Sequence, residues 1–172
     1  MLRLALTLIF SLYLCGCSTI GKSKTITTDE GVVFITNIKP LSGRERVIAK
    51  KSLLLISKID QNQVYPYFPE SLYWAKLGDK YAGLTVTFGS DPKTQYKHVY
   101  IDRETVLLNE RDPLEWLHFG CLLSHELNHY FHDTEDPHTG RITNEVIYRK
   151  LAEDPTLLRN FEKWWSDVIK SR

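Results

Sequence analysis

The chain has 172 residues, 42% of them hydrophobic and 12% aromatic, which suits one domain with an ordinary core. No repeat at a fixed period and no low-complexity tract is present, which excludes solenoid and fibrous designs. Lys and Arg number 22 against 21 Asp and Glu, a formal charge of +1, and the basic residues are scattered, which argues against a nucleic-acid surface.

Met1-Leu2-Arg3 is a short positive start, Leu4 to Leu14 is almost wholly apolar, and Leu14-Cys15-Gly16-Cys17 closes the run on small residues. An apolar run of about fourteen residues falls short of the ~20 that cross a bilayer, so residues 1–16 read as a secretion signal and not a span. The ending resembles the lipobox of bacterial lipoproteins, which implies cleavage before Cys17 and a lipid on that cysteine. Ordinary signal cleavage near Gly16, releasing a soluble product, is the alternative. With Cys17 acylated and Cys15 removed, Cys121 is the one thiol left, and no intramolecular disulfide can form. Ser18 stands where Asp signals inner-membrane retention in many Gram-negative lipoproteins, so the resemblance implies the outer membrane in a host that has one.

Ser18 to Glu30 is rich in Ser, Thr, Lys and Gly, and residues 17–30 read as a flexible tether to a single domain over 31–172. Gly31 to Ile38 is β-branched and aromatic, a strand ended by Pro40. Ser42-Gly43-Arg44-Glu45 has capping-box spacing and predicts a helix to about Lys58. Tyr65 to Tyr81 concentrates aromatics that either fill the core or line a groove, with a short helix expected over Pro69 to Leu77, stopped by Gly78. Leu84 to Phe88 and His98 to Asp102, separated by a Gly89-Ser90-Asp91-Pro92 turn, predict a hairpin, with His98 a surface residue.

Asp112-Pro113 reads as an N-cap followed by proline at the first helical position, and Leu114, Leu117, Cys121, Leu122 and Leu123 recur at helical spacing. Five of the six histidines fall between His118 and His138, and this helix carries His125-Glu126-Leu127-Asn128-His129. Residues four apart share a helical face, so His125 and His129 can offer two imidazole nitrogens to one ion, with Glu126 set about 100° round the helix. Asp133 to Gly140 is a dense turn signal. Thr143 or Asn144 caps a helix to about Ala152, and Asp154-Pro155 starts a last helix whose apolar stripe, Leu157 to Ile169, is core packing.

The His-Glu-x-x-His motif on a buried helix resembles the zincin clan of zinc metallopeptidases over residues 113–145. That resemblance implies an α+β fold, a small mixed or antiparallel sheet packed on helices with the active-site helix at its centre. It implies Zn2+ held by His125 and His129, a peptide or protein substrate lying along the strand that precedes the helix (His98 to Leu108), and Glu126 as general base toward a zinc-activated water. A catalytic zinc takes a third protein ligand; His138 is preferred, with Glu145 and Glu135 as alternatives. Glu135 falls where metzincins place their third histidine, but His132 replaces their glycine. His132, seven residues and about 10 Å along the helix from His125, suits a supporting role. Tyr130, His132 and Tyr148 are the candidates for steadying an oxyanion. A lipid-anchored envelope peptidase follows, with a non-catalytic envelope lipoprotein holding a structural or vestigial metal site as the alternative.

Overall fold

The computed structural model describes residues 22–28, 31–89, 91, 93–106, 112–132 and 144–170. Residues 1–16, Cys17, Glu135 and His138 lie outside them. Strands β1 (Lys22–Thr28) and β2 (Gly31–Pro40) lead into helix α1 (Gly43–Ile59); β3 (Leu72–Lys76), β4 (Gly83–Phe88) and β5 (Tyr96–Asp102) follow. Helices α2 (Pro113–Phe131), α3 (Asn144–Glu153) and α4 (Pro155–Lys170) complete an α+β domain.

Helix starts obey local chemistry. The Ser42 hydroxyl accepts from Glu45 N at 3.3 Å while the Glu45 carboxylate accepts from Ser42 N at 2.8 Å, the reciprocal capping box the spacing predicts. Asp112 accepts from Leu114 N at 2.9 Å at the head of α2, and Asp154 accepts from Thr156 N and Leu157 N at 2.9 and 3.0 Å at the head of α4.

The sheet runs β1-β2-β3-β5-β4; β3 and β5 are parallel and every other neighbouring pair is antiparallel. Side-chain alternation divides it into two apolar layers. Leu72, Trp74, Val99 and Ile101 face the helices, packing with Leu55, Ile56, Leu117, Leu123 and Leu127. Val33, Ile35, Ala75, Val86 and Tyr100 fill the opposite, concave face. The sheet curls enough that Lys24 of β1 sets its ammonium 4.3 Å from the Phe88 ring centre in β4. Helix α2 is the buried centre expected of it. Trp74 of β3 stacks on its Phe119, Trp165 of α4 meets its Trp116 edge-on, and Gly120 lets α1 approach so closely that an added Cβ would lie 2.8 Å from the Ser52 carbonyl oxygen.

Three expectations are corrected. Lys22 to Thr28 is no flexible tether: its Thr-Ile-Thr-Thr run is extended and β2 supplies the ladder, with Ile26 packing on the concave core. The segment expected as a short helix around Leu72 to Lys76 is strand β3, hydrogen-bonded on both sides, because burying Leu72 and Trp74 against the helices outweighs the helix signals at Pro69 and Gly78. The strand preceding α2, β5, is interior; β4 is the edge. Asn37, in the left-handed region at φ 54, is the extra residue of a β2 bulge that shifts the register against both neighbours. Among the described residues no helix is long and apolar enough to cross a membrane.

Candidate metal centre

His125 and His129 stand one turn apart on α2, rings 4.7 Å apart between centres and nearly perpendicular, their Nε2 atoms facing each other at 3.3 Å. Two zinc–nitrogen bonds of ~2.0–2.1 Å meeting at a tetrahedral angle subtend about 3.3 Å, so the two imidazoles fit a shared zinc ion.

Glu126 occupies the flank of α2 that faces the sheet and is only 3% exposed. One carboxylate oxygen, Oε1, lies 4.0 Å from His125 Nε2. The Thr85 hydroxyl on β4 is 2.8 Å from the other, Oε2, and 2.9 Å from the Glu126 carbonyl oxygen, placed to donate to either. Gly83, two residues earlier on the same face of β4, makes room for the carboxylate: a Cβ there would lie 2.6 Å from Oε1 and 2.9 Å from Cδ. Gly83 and Thr85 pair with Ile101 and Val99, whose side chains face the helices, so the pleat itself aims both at Glu126.

Two further contacts fix the last turns of the helix. Lys97 Nζ donates to the carbonyls of His129 and Tyr130 at 3.2 and 2.9 Å, satisfying carbonyl groups that a helix end leaves open and placing positive charge at the negative end of its dipole. On the other flank, the Tyr65 hydroxyl meets Ser124 O at 2.7 Å and Asn128 Oδ1 at 3.3 Å, while the Ser124 hydroxyl donates to Gln63 Oε1 at 2.7 Å. Burial pushes the Tyr65 phenol up to about 12, so it remains a donor at neutral pH. The two residues between the motif's Glu and second His are therefore anchored as well: Leu127 in the core, Asn128 in this polar network.

The other described histidines lie elsewhere. His118, on the helical face of His125 but two turns earlier, has its Nδ1 against the Asn144 side chain at the start of α3. Exposed His132 closes α2, its backbone N–H donating to Asn128 O. His98 was expected on the surface; it is half-buried on the concave face among Tyr73, Phe88, Tyr96 and Tyr100, with its pKa lowered by burial and by the nearby Lys24 charge.

Among the described residues no third His, Cys, Asp or Glu completes a cluster with the pair. Glu145 is exposed in the first turn of α3, and its neighbour Asn144 touches His118, about 10 Å along the helix axis from His125. Of the oxyanion candidates, Tyr130 is half-buried beside His129, bordering a cavity of about 450 Å³ with Tyr67, Ser71, Lys97 and His98. Tyr148 has Glu115 and Asp112, from the opposite end of α2, as its charged neighbours. Gly83, Thr85 and Lys97 belong to the site without a motif to announce them; only the alternation of β4, with Gly83, Thr85 and Thr87 on one face and Leu84, Val86 and Phe88 on the other, hinted at a direction, and Lys97, in line with Val99 and Ile101, had no such signal.

Comparison with known proteins finds no matching family model, no matching curated protein and no matching solved structure. The class that fold and site define is thus read from the chain's own residues: an α+β domain whose central helix presents two converging imidazoles beside a buried, hydrogen-bonded carboxylate.

Proposed function

We propose that this chain is a lipid-anchored zinc-dependent peptidase of the bacterial cell envelope, zincin-like, with α2 as its active-site helix. The observation that carries the reading is the 3.3 Å separation of facing Nε2 atoms on His125 and His129 beside the buried Glu126. His138 is proposed as the third ligand. The described chain leaves α2 at His132 and resumes at Asn144 beside His118, so its two ends flank the pair along the helix, and His138 is midway between them in sequence.

Zinc, when bound, supplies Lewis acidity toward a peptide carbonyl and toward water. Glu126 accepts the proton of the attacking water and delivers it to the departing amine, and Thr85 restricts the carboxylate's rotation so that Oε1 stays on the histidine side. Edge strand β4 offers the peptide its docking line. Asp102 N donates to Ala82 O, so in the alternating antiparallel ladder residues 84, 86 and 88 turn their backbone groups to β5, and Gly83, Thr85 and Thr87 turn theirs outward. An extended substrate adding there gains main-chain hydrogen bonds independent of its sequence. The Leu14–Cys17 ending supports acylation of Cys17, and Ser18 an outer-membrane address in a Gram-negative host.

Elemental analysis of protein purified without added zinc, paired with a peptide-library cleavage assay, tests this. One zinc per chain is expected, lost in His129→Ala; Glu126→Ala keeps zinc and fold and loses cleavage. Turnover retained by metal-verified Glu126→Ala would end the mechanism. Zinc bound without any turnover, with both His138 and Glu145 as ligands, would favour the non-catalytic lipoprotein instead.

A further inference from the structure

The outer face of the β1–β2 hairpin carries apolar side chains that the fold leaves uncovered. Val32 and Phe34 are 56% and 67% exposed, and their cross-strand partners are Thr27 and Thr25. Because Val33 and Ile35 turn into the concave core, alternation forces Val32 and Phe34 outward together. Lys39 and Lys22 are exposed at the other end of the hairpin, where the chain enters the sheet. An aromatic and a β-branched residue side by side on a terminal hairpin invite association unless something covers them.

The distance to Cys17 says what does. Four residues, Ser18 to Gly21, separate Cys17 from the first residue of β1. At ~3.3–3.6 Å per residue, the five steps from Cys17 to Lys22 reach at most about 18 Å even when fully extended. Over residues 17–40 the charged residues are Lys22, Lys24 and Lys39, positive, and Asp29 and Glu30, negative, a small positive excess. Lys24 is engaged over Phe88 and Lys22, paired with Ile38, shares its concave face, while Lys39, paired with Trp74, is exposed on the side of Val32 and Phe34. Resting on the proposed acylation of Cys17, we infer that this hairpin face is a membrane-contact surface. Phe34 and Val32 enter the interfacial layer of an anionic bilayer, threonine hydroxyls lie at its boundary, and Lys39, on the same side of the sheet, meets lipid phosphates. The lipid then holds the domain in one orientation and not on a free swivel.

The test uses full-length acylated protein in vesicles of phosphatidylethanolamine and phosphatidylglycerol, with a polarity-sensitive fluorophore on Phe34→Cys and, as control, on Leu54→Cys of α1. The Cys17 thiol is consumed by the lipid and Cys121 is buried, so labelling is selective. Blue-shifted emission at position 34, quenched by a lipid-borne quencher, with water-like emission at position 54, is expected. Phe34→Ser, labelled at Thr25→Cys, should lose most of the shift while keeping its melting temperature within a few degrees. Equal water exposure at 34 and 54 would overturn the inference, as would shielding of position 34 in the absence of lipid that rises with protein concentration, the mark of a second copy on this face. Mass spectrometry of the N-terminal peptide reports the anchor separately: an acylated Cys17 with a water-exposed position 34 defeats the contact surface alone, and an unacylated Cys17 defeats both.

Discussion

Replacing Gly83 by alanine isolates the geometry of the Glu126 carboxylate. The backbone at Gly83 is not in the left-handed region, so alanine meets no conformational penalty, and strand propensity favours it by ~0.5–1 kcal/mol. The obstacle is steric. A Cβ 2.6 Å from Oε1 must be cleared by roughly 0.9 Å to reach the ~3.5 Å of an ordinary contact. A shift of that size breaks the 2.8 Å Thr85 bond to Oε2 and draws the carboxylate off its present line to His125. Overpacking costs ~1–3 kcal/mol, so net destabilisation of about 0.5–2 kcal/mol is expected in urea unfolding. In the proposed reaction a displacement near 1 Å lowers turnover by about 100-fold, equivalent to ~2.7 kcal/mol of barrier. On the proposed reading zinc content should not change, because the imidazoles are untouched. The decisive assay is a double-mutant cycle with Glu126→Ala. Once the carboxylate is gone, Gly83→Ala should be neutral or stabilising, giving a coupling energy of ~1–2 kcal/mol. A cost for Gly83→Ala that is the same in both backgrounds would refute the steric argument.

Other perturbations follow from the same contacts. Gly120→Ala should separate α1 from α2, since its Cβ would sit 2.7 Å from Ile56 Cγ1 and 2.8 Å from a backbone oxygen that cannot swing away; a loss of about 1–2 kcal/mol in urea unfolding, despite alanine's better helix propensity, checks this. Tyr65→Phe removes the hydroxyl shared by Ser124 and Asn128 and should cost ~1–2 kcal/mol, with zinc retained. Burial raises the Tyr65 and Tyr100 phenols from 10 to about 12, so below pH 10 they are neutral in folded and unfolded chains alike. Above it the unfolded chain ionises first. Stability from these groups is therefore full below pH 10 and falls as pH rises toward about 12, seen as a declining urea midpoint that Tyr65→Phe makes shallower.

What could be read from residues alone was local. The capping box at Ser42, the Asp-Pro pairs at 112 and 154, and the one-turn spacing of His125 and His129 each depend on neighbours within four positions, and each stands as the pattern predicts. What escaped depends on distant partners. Lys22 to Thr28 has too few apolar residues to order itself, and becomes a strand because β2 pairs with it and the concave core takes Ile26. β5 sits inside the sheet because it pairs in parallel with β3, a choice made by burial of Val99 and Ile101 and not by any local signal. The same non-locality hid half the site: Thr85 reaches Glu126 across 41 positions, and a threonine in an alternating strand carries no mark of which carboxylate it will meet.

The N-terminal chain joins the sheet at its outermost strand, and that has a mechanical consequence. A pull arriving along the chain reaches the pairing of Lys22 with Ile38 first, beside the bulge at Asn37 where the ladder is already irregular. Rupture is expected to begin there and to detach β1 from β2, while β3, β5 and α2, joined by Trp74 stacked on Phe119, hold the two imidazoles in register. The first strand would then act as a fuse between that tension and the candidate metal centre.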